Sequence, residues 1–96
     1  MINIEAELER LPDLVADELL KWRKSTLERE QIEALLYAQF KGEDKERSAT
    51  EIKAMIQSNG DRYNAVLREI TAESEYTRLM ERLMSVKKAA SFRTAF

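Results

Sequence analysis

Cysteine and histidine are both absent from this 96-residue chain, and it holds only two glycines and one proline. Without cysteine there is no disulfide and no thiol nucleophile. Without histidine as well, imidazole bases and the usual structural zinc sets are excluded. No apolar run approaches the roughly 18 residues that a membrane-spanning helix needs. The amino-terminal stretch MINIEAELERL is acidic where a signal peptide is basic and then greasy. These absences point to a cytoplasmic protein with no secretion address, no bound metal and no cofactor.

The charged residues are plentiful, 18 acidic and 16 basic, and they are sorted along the chain. Residues 1–19 carry six acids against Arg10 alone, a net of -5. Residues 20–82 balance. Residues 83–96 hold Lys87, Lys88 and Arg93 and no acid, a net of +3. Such a chain can pair its acidic head with the basic tail of another copy, or offer one end to an anionic partner.

Scarce glycine and proline beside abundant Ala, Leu, Glu, Lys and Arg make the expected fold all-α. The periodicity predicts a first segment over 4–11, interrupted at Pro12. It is either a short helix feeding a long one or a single helix kinked there. The long helix is expected over 12–41, with Val15, Leu19, Trp22, Leu36 and Phe40 on its apolar face. The stripe weakens between Glu28 and Gln31. Gly42 reads as the helix stop, and 42–48 as a charged surface loop.

Ser48 followed three residues later by Glu51 has the form of a capping box for a short helix, Ala49 to Gln57, burying Ile52 and Ile56. Ser58-Asn59-Gly60 should end it, with left-handed backbone at Asn or Gly and Asp61 capping the next helix. A last helix is expected from 62 to about 91, with Leu67, Ile70, Tyr76 and Leu83 on its stripe. Phe92 and Phe96 lie at its end. The architecture that follows is an elongated helical hairpin of two long helices with a short one between, forming a single domain.

About 30 helical residues extend some 45 Å, too long for a compact domain of this size. Stripes on such rods are best covered by another copy, so a homo-oligomer is expected. Catalysis is not. Only carboxylates, lysines and tyrosines remain as acid–base groups, and Glu18, Glu69 and Glu73 have the spacing of ordinary helix surfaces. Glu43, Asp44 and Glu46 lack the twelve-residue calcium pattern and read as a solvated run.

Nucleic-acid binding has more support. Arg78 and Arg82 are four apart and share a helix face, Lys87, Lys88 and Arg93 follow, and aromatic residues stand nearby. Lysines at a helix carboxyl end also suit the helix dipole without any ligand. Trp22 reads first as a helix-packing residue, with Lys21, Arg23 and Lys24 around it as a phosphate-facing alternative.

The order of these features resembles one family. Leu20-Lys21-Trp22 lies in a long amino-terminal helix. After a charged loop come Ser48-Ala49-Thr50-Glu51-Ile52-Lys53-Ala54-Met55-Ile56, then a helix with Tyr63 and Tyr76, and finally Ser85-Val86-Lys87-Lys88-Ala89-Ala90-Ser91-Phe92-Arg93. The pattern is similar to the UvsY-type bacteriophage recombination mediator proteins, most strongly from 48 to 93. The resemblance implies a small helical protein that assembles into rings and binds single-stranded DNA. It also implies help in loading a RecA-like recombinase onto strands covered by single-strand binding protein. By position, Lys53 falls in the segment that the family places near DNA, and Lys87, Lys88 and Arg93 in a carboxyl helix that supports assembly. Shorter length, a more acidic amino-terminal region and the acids of 42–48 are departures from the family. An alternative from another class is a helical structural or adaptor protein of a phage or mobile element, acting through protein contacts alone.

Overall fold

The computed structural model describes residues 3–95, with side chains described to Arg93; Phe96 lies outside the described residues. The fold is all-α, in the order α1 (Ile4–Glu43), α2 (Ala49–Gln57) and α3 (Gly60–Ala95). Two long helices with a short helix between them therefore stand as the architecture.

Of the two readings at Pro12, the single helix stands: α1 runs through the proline from Ile4 to Glu43. Pro12 is exposed, so only a backbone bond to the carbonyl of Leu8 is lost. Packing of Leu8, Leu11 and Val15 holds the helix on both sides of it.

The helix ends do differ from expectation. Gly42 lies inside the last turn of α1, and no described residue has a positive φ. Instead of a left-handed glycine cap, Arg47 folds back. Its Nη1 donates to the carbonyl of Phe40 at 2.9 Å and to Glu43 Oε2 at 3.2 Å. Lys41 Nζ in turn donates to the carbonyl of Arg47 at 2.6 Å. The Arg47 bond to Phe40 thus serves a carbonyl of the last turn of α1. Glu43, Asp44, Lys45 and Glu46 are exposed, so 42–48 is a charged surface turn as expected, tied to α1 by Arg47.

Helix α2 begins as expected, with Ser48 Oγ accepting from the Glu51 N–H at 3.1 Å. Ser58 ends it in right-handed geometry, φ -92° and ψ 0°, its N–H donating to the carbonyl of Ala54. The cap of α3 is Asn59, whose Oδ1 accepts from the N–H groups of Asp61 and Arg62 at 2.9 and 3.2 Å. Asp61 instead sits in the first turn, where its charge suits the helix dipole. With Asn59 as cap, α3 starts two residues earlier than 62.

Packing divides the chain into two compact units. Unit 1 combines Met1–Trp22 with Ala72–Phe96. Its core is Leu11, Leu83 and Val86, against which Ile4, Leu8, Val15, Leu79 and Met80 pack. Glu7 meets Arg82, and Trp22 meets Tyr76, so the two helical segments run antiparallel within this unit. The Trp22 and Tyr76 rings lie 5.4 Å apart and tilted by 34°, within the favourable range for aromatic pairs.

Unit 2 is Arg23–Thr71. Its core is Leu36, Ile52 and Ile56, joined by Ile32 and Phe40. Ile52 is fully buried and anchors α2. Burying one such side chain is worth about 1.5–3 kcal/mol, a large share of what holds a nine-residue helix in place. A polar layer lies between α1 and α3 in this unit. Arg29 Nε donates to Glu69 Oε1 at 2.9 Å, while Arg29 Nη1 pairs with Glu33. Arg62 Nε approaches Glu33 at 4.0 Å without a hydrogen bond. Of the polar stretch near Glu28–Gln31 that interrupts the stripe, Arg29 belongs to this layer, while Glu30 and Gln31 are exposed.

Candidate nucleic-acid interface

The six candidate phosphate-binding cations differ in how much of their charge is free. Arg82 is engaged. Its Nε and Nη2 donate to the two oxygens of Glu7 at 3.2 and 3.3 Å. Arg10 reaches the same carboxylate at 2.9 Å. The hydrogen bonds from Arg82, and then those from Arg10, hold the Glu7 carboxyl below its ordinary value. The acidic head therefore meets α3 within one chain at this point, through a cation that precedes the basic tail. Arg78 pairs with Glu75 at 2.7 Å, both side chains being largely exposed. Pairs of that kind contribute little and exchange readily with another anion.

Lys53, Lys87, Lys88 and Arg93 are exposed, and none forms an ion pair among the described residues. Lys53 lies on α2 in unit 2; the other three lie on α3 in unit 1. Helical spacing separates the α3 cations. Arg93 stands eleven residues after Arg82 and shares its face, whereas Lys87 and Lys88 turn well away from it. The tail is thus a cationic collar around α3 rather than one stripe.

Apolar candidates divide in the same way. Leu36, Ile52, Ile56 and Leu83 are buried, while Val15, Leu19, Trp22, Phe40 and Tyr76 are half-buried. Leu67, Ile70 and Phe92 are exposed. Leu11, fully buried beside the proline, and Ala65 belong to the interior although neither was expected there. The alternation of Leu8, Leu11 and Val15 carried that signal for Leu11.

Glu18 pairs with Lys21, and Glu69 with Arg29. Burial pushes the Glu69 carboxyl up, but hydrogen bonds from Thr26 and Arg29 outweigh it and hold the group below its ordinary value. Those carboxylates hold Arg29 in its charged form, Glu69 first and Glu33 second. Among the described residues no cluster of three potential metal ligands occurs. No helix there is long and apolar enough to cross a membrane.

Comparison with family models, curated proteins and solved structures gives no match.

Proposed function

We propose that this chain is a non-catalytic accessory protein that binds single-stranded DNA as a homo-oligomer. By its resemblance to the mediators, it would help load a RecA-like recombinase onto strands held by single-strand binding protein. Its setting would be the cytoplasm of a bacterial host. The observation that supports this reading is that four of the six candidate cations, Lys53, Lys87, Lys88 and Arg93, are exposed and form no ion pair among the described residues.

The mechanism is physical. Each copy offers a few weak phosphate contacts, and an oligomer adds them on one strand, so binding is avid and falls with salt. A ring would distribute the contacts around a rim and bend the strand. Held this way, the strand is less available to the competing protein and more so to the recombinase. No cofactor enters the reaction.

A second reading, the adaptor, is favoured by one observation. Leu27, Leu35, Tyr63, Leu67 and Ile70 of unit 2 are all at least 44% exposed, more apolar surface than strand binding needs. Fluorescence anisotropy of labelled single-stranded DNA separates the two, with light scattering to fix the oligomer. Binding at low salt that weakens at moderate salt supports the mediator. A confirmed oligomer that fails to bind at low salt leaves the adaptor. Lys87→Glu with Lys88→Glu should weaken binding at least tenfold if both face phosphate; unchanged affinity removes them from the site.

A further inference from the structure

The face of α1 turned away from the core of unit 2 carries a regular pattern. Lys24, Leu27, Gln31, Ala34 and Ala38 follow one another at alternating steps of three and four residues, so they line one side of the helix. All are exposed, and Leu27, 63% exposed, is the one large apolar side chain among them. A surface hollow of about 580 Å³ lies here, lined by Lys24, Leu27, Glu28, Glu30, Gln31 and Ala34. Arg23, Lys24 and Glu30 flank Leu27 and form no ion pair among the described residues, unlike Arg29, Arg47 and Arg62 of the same unit.

We infer that this face binds a second copy of the chain through a two-fold contact centred on Leu27, with the two α1 helices antiparallel. The inference rests on the reading that the protein is an oligomer and names the surface involved. The charges decide the orientation. Lys24 lies three residues before Leu27 and Glu30 three residues after it. Antiparallel pairing about Leu27 therefore brings each Lys24 opposite the second copy's Glu30, twice over. It also sets Arg23 opposite Gln31, within reach of the same glutamate. A parallel pair in register would place Lys24 on Lys24 and Glu30 on Glu30, which is repulsive. Leu27 meets itself at the axis, and Ala34 and Ala38 add little bulk, so the backbones can approach closely. A contact of this kind is self-complementary and closes at two copies, so larger assemblies would be built from dimers.

The absence of native cysteine makes the test direct. Leu27→Cys in the full chain should form an intermolecular disulfide under mild oxidation, because residues on a two-fold axis fall within bonding range. Leu67→Cys, also exposed but on α3, should not do so at the same rate. By sedimentation, Lys24→Glu and Glu30→Lys should each weaken self-association about tenfold or more, and the two together should restore it. Circular dichroism on the same samples checks that the helices remain.

If the unaltered chain is monomeric at all concentrations, the oligomer reading and this one fall together. If it is oligomeric but Leu27→Cys does not cross-link, or the charge swap fails to restore association, the oligomer stands and the Leu27 contact is refuted. A face occupied by a different protein would give that same pair of results.

Discussion

Removing Arg29 should be costlier than removing either of the carboxylates it holds, because two acids lose the cation that hydrogen-bonds to them and keep only the more distant Arg62. Arg29 is 24% exposed at its side chain, Glu33 30% and Glu69 17%, so all three lie where solvent screens them only in part. Hydrogen bonds to charged groups contribute about 1.5–3 kcal/mol, and stripping one member from a fully buried pair costs about 3–5 kcal/mol. Arg29→Ala in this half-buried layer should then cost about 2–3 kcal/mol. Glu69→Gln keeps the shape and an acceptor and leaves Arg29 with Glu33, so about 1 kcal/mol is expected. The double variant should cost less than the two added together, with a coupling of about 1 kcal/mol. Urea unfolding followed by circular dichroism at 222 nm measures all four corners of the cycle. Equal costs for the two single variants, or a coupling within about 0.3 kcal/mol of zero, would refute the layer as a unit.

Three further outcomes follow from particular residues. Proline inside a helix costs up to about 3 kcal/mol relative to alanine, and Pro12 is exposed, so Pro12→Ala should raise the melting temperature; a fall would mean that the ring has a packing role. Glu7, Glu43 and Glu69 all have carboxyls held below the ordinary value of 4.5. Their contribution is complete above that pH and is lost as pH falls through the lowered values, so acid titration should destabilise the fold from about pH 4.5 downward. Glu69→Gln should reduce that loss. If copies cover one another's apolar faces, melting temperature should rise with protein concentration, and a concentration-independent melt of a monomer would contradict the oligomer.

Local chemistry made some of this fold legible from sequence and left other parts hidden. Ser48, Glu51, Ile52 and Ile56 specify the short helix within ten residues, and α2 has the bounds their spacing implies. Proline chemistry left two readings open at Pro12, and packing of Leu8, Leu11 and Val15 against α3 selects the single helix. Asn59 and Asp61 are both good caps, and only the backbone geometry selects between them. The Arg29 layer needed tertiary information. A polar stretch at 28–31 announces a break in the stripe, but Glu69, forty residues away, supplies the partner. The same holds for the candidate interface. Arg78 and Arg82 share a face by spacing alone, whereas the neutralisation of Arg82 by Glu7 depends on a contact 75 residues apart. Lys53, Lys87, Lys88 and Arg93 remain as cations without an ion pair among the described residues.

The salt dependence of single-stranded DNA affinity tests the central proposal most directly. If the four candidate cations without an ion pair among the described residues each meet a phosphate, then at about 0.7 of an ion released per contact on a single strand the slope of log K against log salt is near -3 for one engaged copy, and steeper for an oligomer. Replacing Lys53, Lys87, Lys88 and Arg93 by glutamine should flatten that slope toward zero while leaving helicity unchanged. Absence of binding at low salt by the intact oligomer, or a slope indifferent to those four residues, would contradict the account.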